Sequence, residues 1–197
     1  MPSLPLRFSK RVTAPGDLPP TAPGGELVLF GRSNVGKSSL LNALAKTAVA
    51  RTSKDPGCTT AMTIYALETR PKGWVIDFPG YGYARRSKQV RHEFSIMIEG
   101  YVACARPSAR VALLIDARRG LMSVDQQWLD HCEGADLPLS VIATKIDKIK
   151  GAARTRILAE LAAVAASYKV ADEKVLPVSA RTGEGLDAVR RWFLRGL

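Results

Sequence analysis

The sequence predicts an α/β domain: a six-stranded, mostly parallel sheet with one antiparallel edge strand and helices on both faces. Three observations lead there. Short apolar runs alternate along the chain with segments of helical periodicity, as in strands joined by crossover helices. The first run, Leu27–Phe30, is apolar at every position, which suits a strand covered on both sides. The 197 residues, 46% hydrophobic and 24% charged, suffice for one sizeable core and hardly for two.

Residues 1–25 carry Pro2, Pro5, Pro15, Pro19, Pro20 and Pro23 with three glycines, which predicts an irregular leader lying across a single domain formed by residues 26–197. Leu27–Phe30, between Gly25 and Gly31, is the first expected strand, and Ser38–Lys46 is helix-like. Met62–Thr69 and Trp74–Asp77, joined at Pro71–Gly73, form a hairpin. Val90, Phe94, Met97, Ile98 and Tyr101 recur at helical spacing and predict a helix over Ser87–Ala105. Strands follow at Val111–Ile115, Leu139–Ala143 and Val175–Val178, and helices at Val124–Cys132, Ala152–Tyr168 and Leu186–Leu194. Trp74, Trp128 and Trp192 follow the apolar periodicity and are expected in the core, and His92 and His131 are expected to be structural.

Several classes are excluded. The longest wholly apolar run, Leu161–Ala166, is far short of the roughly 20 residues that span a bilayer, and the first residues lack the pattern of a secretory signal. Cys58, Cys104 and Cys132 are odd in number and have no metal-type spacing, so reduced thiols and a cytoplasmic setting are expected, without a membrane partner. A formal net charge of +11 and a pI near 9.9 favour an anionic partner such as nucleic acid. Arg85, Arg86, Lys88 and Arg91 form the local basic cluster that suits RNA, and Arg190, Arg191 and Arg195 form another near the C-terminus.

The chemistry concentrates at strand ends. Gly31-Arg32-Ser33-Asn34-Val35-Gly36-Lys37-Ser38, followed by Ser39, matches the phosphate-binding loop between a strand and a helix. Its glycines let backbone N–H groups curl around phosphates at a helix N-terminus. Lys37 neutralises the β/γ-phosphates there, and the Ser38 hydroxyl ligates Mg²⁺. Asp77-Phe78-Pro79-Gly80 ends a strand, with Asp77 placed to hold the metal through water and the Gly80 N–H to reach a γ-phosphate. In the loop between them, Gly57, Cys58 and Thr59 complete the phosphate side. Thr59 offers Mg²⁺ a second hydroxyl only while the γ-phosphate is present, with Thr60 as the adjacent competitor. Lys37, Thr59 and Gly80 are thus the expected catalytic residues. Thr144-Lys145-Ile146-Asp147 reads the base: Asp147 accepts from guanine N1–H and the 2-amino group, while adenine leaves the carboxylate unpaired, a penalty of roughly 10⁴-fold in comparable polar sites. The Lys145 stem covers the base, and backbone of Val178-Ser179-Ala180 meets the guanine oxygen. Together these expectations describe a GTP/GDP switch. Asp116 and Asp125 read as caps or surface acids.

The chain resembles translation-factor-class (TRAFAC) P-loop GTPases and, more closely, the EngB (YihA/YsxC) family of bacterial GTP-binding proteins. The residues responsible are Gly31–Ser39, Ser53–Thr59, Asp77–Ala84, Asp125-Gln126 and Thr144–Lys148, of which the Asp77–Ala84 segment DFPGYGYA is family-specific. Cys58 departs from the pattern, where an arginine is expected. The resemblance implies a three-layer Ras-like domain, a role in assembling the large ribosomal subunit and a requirement in cell division and septation.

Tyr81 stands where signalling GTPases carry the water-orienting glutamine, so intrinsic hydrolysis is expected to be slow. The missing charge comes from a partner's arginine or from K⁺ near Asn34, an asparagine that either ligates the ion or only shapes its loop. Two classes of function fit: a monomeric assembly factor whose basic segment meets ribosomal RNA, and a regulatory switch that binds a protein effector at the division site. Asp147 and the lack of a substrate-domain insertion disfavour an ATP-using enzyme.

Overall fold

The computed structural model describes residues 3–51, 61–69, 71–81, 96–101, 104, 109–168 and 175–195. Its strands are β1 (Leu6–Val12), β2 (Glu26–Gly31), β3 (Met62–Leu67), β4 (Gly73–Asp77), β5 (Ala109–Asp116), β6 (Leu139–Thr144) and β7 (Leu176–Pro177). The helices are α1 (Lys37–Ala45), α2 (residues 96–101), α3 (Ser123–Gly134), α4 (Gly151–Ala165) and α5 (Leu186–Leu194).

One seven-stranded sheet runs in the order β1-β3-β4-β2-β5-β6-β7, one strand more than expected. The parallel pairs β4–β2, β2–β5, β5–β6 and β6–β7 are those that crossover helices create. The β3–β4 hairpin is antiparallel as expected, but β3 is not the edge. It is covered by β1, which pairs antiparallel to it from Leu6↔Leu67 to Val12↔Met62 with an irregularity between Phe8 and Lys10.

The leader is therefore not irregular throughout: Leu6–Val12 is the edge strand, and only the stretch after it matches the expectation, with a short 3-10 turn at Pro15–Asp17. Its sequence hid this because an edge strand buries little. Val12 is buried and Leu6 half-buried, while the residues between them are exposed. Arg7, Lys10 and Arg11 suit an edge, since charged side chains discourage further strand pairing.

Alternation along β2 explains the continuous apolar run. Val28 and Phe30 belong to one core layer with Ile76, Phe78, Tyr101 and the α3 residues Leu129 and Cys132. Leu27 and Leu29 face the other layer with Leu40, Leu41 and Leu44 of α1 and Val189, Trp192 and Phe193 of α5. Both faces are covered, so the strand needs no polar side. Of the tryptophans, Trp192 is buried, and Trp74 and Trp128 are partly buried against the core, Trp128 stacking on Phe30 at 5.1 Å. Trp128 also meets His131 edge-on, which fits the structural role expected of that histidine. Burial pushes the Cys132 thiol up to about 12, which makes it unreactive; Cys104 is exposed.

Of the helix expected over Ser87–Ala105, residues 96–101 are helical. Met97, Ile98 and Tyr101 point inward, and the Tyr101 hydroxyl donates to the buried Glu26 carboxylate at 2.9 Å. His92 and the rest of that helix's N-terminal part lie outside the described residues. No helix among the described residues is long and apolar enough to cross a membrane.

Candidate functional site

The motif residues that the structure describes gather beyond the carboxyl ends of β2, β4, β6 and β7, where open α/β sheets bind ligands. The loop from Gly31 to Lys37 turns through Asn34 at φ 62° and Gly36 at φ 114°. Asparagine tolerates the first conformation and glycine the second. Gly36 caps α1, so the helix N-terminus opens onto the loop. Lys37 is largely buried, and its Nζ donates back to the Gly31 carbonyl at 3.4 Å. Ser38 and Ser39 occupy the first turn of α1 beside it.

Asp77 ends β4 with Oδ1 enclosed and without a hydrogen-bond partner. Burial pushes its carboxyl up to about 6, with Lys37 pulling the other way. An enclosed oxygen of this kind is raised because the charged form has lost its water. Three residues on, Gly80 packs so closely that a Cβ there would lie 2.8 Å from Ser33 Cα, so no other residue fits. Ser33 Oγ donates to the Gly80 carbonyl at 3.1 Å, which joins the two phosphate-side segments.

Opposite lies a cavity of about 220 Å³ lined by Leu40, Thr144, Lys145, Asp147, Val178 and Ala180, among others. Asp147 sits in a 3-10 turn, Ile146–Lys148, just past β6. Its Oδ1 accepts the Ser179 hydroxyl at 2.8 Å, while its Oδ2 is enclosed without a hydrogen-bond partner. The Ser179 hydrogen bond holds this carboxyl below the usual range, against the effect of burial. Ser179 is itself fixed, its Oγ accepting the Thr182 N–H at 3.1 Å. Sequence gave Ser179 only a backbone role; here its side chain orients the carboxylate.

Lys145, at φ 57°, links the two halves: its Nζ donates to the Asn34 carbonyl at 2.5 Å and to Asp116 Oδ2 at 2.9 Å. Thr144 Oγ1 donates to the Val35 carbonyl at 2.8 Å.

Two acids correct the sequence reading. Asp116 is buried, not a surface acid; burial raises its carboxyl, but Arg118 and Lys145 outweigh that and hold it near 2. Asp125 is fully buried as well. It does cap α3, accepting the Met122 N–H at 2.9 Å, but it also meets Tyr81 Oη at 2.9 Å and Arg32 Nε at 3.3 Å. Lys145 for Asp116, and Tyr81 and Arg32 for Asp125, lie far away in sequence, and no local spacing signals them.

Of the expected nucleotide contacts, Val35, Phe78, Ile146 and Val178 bury their side chains, which leaves their backbone for that role. Phe78 packs on Phe30 and Tyr101. Gly57, Cys58, Thr59 and Thr60 lie outside the described residues, as do Arg85, Arg86, Lys88 and Arg91. No cluster of three or more His, Cys, Asp or Glu suited to a metal occurs among the described residues.

A protein-family model described as a 50S ribosome-binding GTPase matches residues 26–145. The chain is 36% identical over 187 residues to the probable GTP-binding protein EngB of Cereibacter sphaeroides, covering 94% of this chain and 85% of that one. It is 37% identical over 181 residues to the protein of the same description in Thermotoga sp. (strain RQ2), covering 92% and 90%. Among solved structures, Era in complex with MgGDPNP and a segment of 16S ribosomal RNA matches with a TM-score of 0.69 at 26% identity, over 88% of this chain but only 56% of that one.

Proposed function

Because the chain belongs to the EngB family of GTP-binding proteins, we propose that its GTPase activity drives a Mg²⁺-dependent switch in assembly of the large ribosomal subunit, with normal cell division and septation depending on that step. The observation that carries the nucleotide reading is Asp147: one oxygen is fixed by Ser179, and the other, 3.5 Å from Arg181 Nε, is enclosed beside the cavity and accepts no hydrogen bond. A base with two adjacent N–H donors relieves it, and guanine has them where adenine does not.

The donor set suits Mg²⁺. That ion takes most of its shell from water and phosphate and needs few protein ligands, and here the Ser38 hydroxyl and the unpartnered Asp77 Oδ1 are the protein's offering, with Thr59 as a further hydroxyl. When bound, it supplies positive charge at the β- and γ-phosphate oxygens. The chain's own residues do the rest. Lys37 and the loop N–H groups, from Gly31 to Ser39, neutralise and orient the phosphates. Gly80 gives a close backbone approach to the γ-phosphate, Lys145 covers the base and Asp147 reads it. Tyr81 is no substitute for a water-orienting glutamine, because its hydroxyl is tied inward to Asp125, so intrinsic hydrolysis is slow and the missing charge comes from outside. Potassium beside Asn34 is one source, tested by hydrolysis rates in KCl against NaCl; equal rates exclude it.

The ribosomal reading rests on the family description, the surplus of 29 Lys+Arg over 18 Asp+Glu and the basic segment Arg85–Arg91. Cosedimentation with large-subunit particles under GTP analogue, GDP and no nucleotide tests it. The expected result is binding with the analogue alone, falling with salt at a log–log slope of about −3 for four phosphate contacts by Arg85, Arg86, Lys88 and Arg91. A flat salt response, or capture of a protein effector that survives ribonuclease, favours a division-site switch instead.

A further inference from the structure

Beyond the nucleotide contacts, one buried cluster joins three separate segments that flank the phosphate side. Asp125, in the first turn of α3, is fully buried. It accepts from Tyr81 Oη at 2.9 Å through Oδ1, and through Oδ2 it takes the Met122 N–H at 2.9 Å and pairs with Arg32 Nε at 3.3 Å. Arg32, itself almost wholly buried, donates onward to the Gly120 carbonyl at 2.8 Å and meets Met122 Sδ. The Tyr81 backbone is gripped by the same loop: its N–H donates to the Gly31 carbonyl at 3.3 Å and its carbonyl accepts the Ser33 N–H at 2.9 Å. Its ring lies 5.4 Å from Trp128 of α3.

An ion pair this deep is a poor stabiliser, since apolar side chains of similar volume hold a core as well. What an apolar core lacks is direction, and the hydrogen bonds from Tyr81 and Met122 to Asp125 and from Arg32 to Gly120 are directional, with the Arg32–Asp125 ion pair beside them. Their common effect is to fix Tyr81, and with it Gly80, against the loop that holds the phosphates. From this we infer that Asp125 is a positioning residue for GTP hydrolysis, acting through Tyr81 and Arg32 to hold Gly80 where a γ-phosphate is met. The inference rests on the nucleotide reading above and adds α3 to the machinery. GDP has no γ-phosphate, so the clamp bears on the rate of hydrolysis and not on GDP affinity.

Tyr81→Phe is the decisive variant, because it keeps the ring and deletes only the tether. Single-turnover hydrolysis is expected to fall about tenfold, within the roughly 10²-fold that a 1 Å misplacement costs. GDP affinity should stay within about twofold, so the loss appears in kcat and not in binding. Asp125→Asn should be at least as slow, since it also breaks the pair with Arg32, and the double variant no slower than Asp125→Asn, because the Tyr81 tether ends on Asp125. Should Asp125→Asn fail to fold, Tyr81→Phe alone decides. A folded Tyr81→Phe protein that hydrolyses GTP at the wild-type rate overturns the inference, as does a loss of GDP affinity in parallel with the rate. Failure of wild-type protein to bind GTP would instead strike the nucleotide reading itself.

Discussion

Replacing Asp147 by Asn is expected to lower GTP affinity by about 10²–10³-fold, the effect of roughly 3–4 kcal/mol when a charged acceptor is lost from a buried polar contact. The same change should turn xanthosine triphosphate from a poor ligand into a good one. Asn keeps an oxygen for the Ser179 hydroxyl, which now bonds Oδ1 at 2.8 Å. Its amide then stands in place of Oδ2, which is enclosed without a hydrogen bond and lies 3.5 Å from Arg181 Nε. Guanine would meet that amide donor to donor through its 2-amino group. Xanthine carries a carbonyl at that position and accepts the bond. Titration calorimetry with both nucleotides reads the exchange directly, and unchanged preference for GTP in a folded Asp147→Asn protein would remove the basis for the guanine reading.

Asp77→Asn is expected to pull stability and activity in opposite directions. The Asp77 carboxyl is raised from 3.8 to about 6, chiefly by burial. Between those pH values the folded protein holds a proton that the unfolded chain has released, so stability is highest below the interval, falls as pH rises through it and is level above. Neutral asparagine avoids that loss. At pH 7.5 the nucleotide-free variant should be more stable by about 1 kcal/mol, a rise in Tm of roughly 2–4 °C for a chain of this size. The raised carboxyl alone implies more, but the residue is only half-buried and solvent screens part of the cost. Below pH 4 the two proteins should melt together. Hydrolysis, by contrast, should drop by about 10–100-fold, as when a partner of a metal's water shell is removed. Melts at pH 3.5 and 7.5, with a Mg²⁺ titration of the hydrolysis rate, separate the two effects. A variant that melts lower than wild type at pH 7.5 would show that Asp77 is held by attraction and is not an exposed cost of the site.

Much of this molecule is legible in its sequence where the physics is local. The phosphate loop is one, because its glycine and lysine spacing follows from phosphate geometry. Strands β2 and β5 are others, because covering both faces demands unbroken apolar runs such as Leu27–Phe30 and Val111–Ile115. What stays hidden is contact at long range. Asp125 reads as a helix cap, and it is one, but nothing near it announces Arg32 or Tyr81. Asp116 likewise gains its meaning from Lys145 across the neighbouring strand. β1 escapes for a different reason: an exposed edge strand with one partner has no alternation to display. The Phe78 ring looks like part of a ligand motif and proves to be core, since alternation at the end of β4 sends it opposite to Asp77.

The placement of β1 bears on the order in which the fold can form. The first strand described along the chain has no partner until β3 exists, because among the described residues it pairs with Met62–Leu67 alone. Closing so long an intervening segment carries an entropic penalty that local hairpins such as β3–β4 escape. As the polypeptide leaves the ribosome, Leu6–Val12 must therefore wait, and its cationic character keeps the waiting segment from sticking to other nascent strands. The last stitch at this border of the sheet is sewn with the earliest thread.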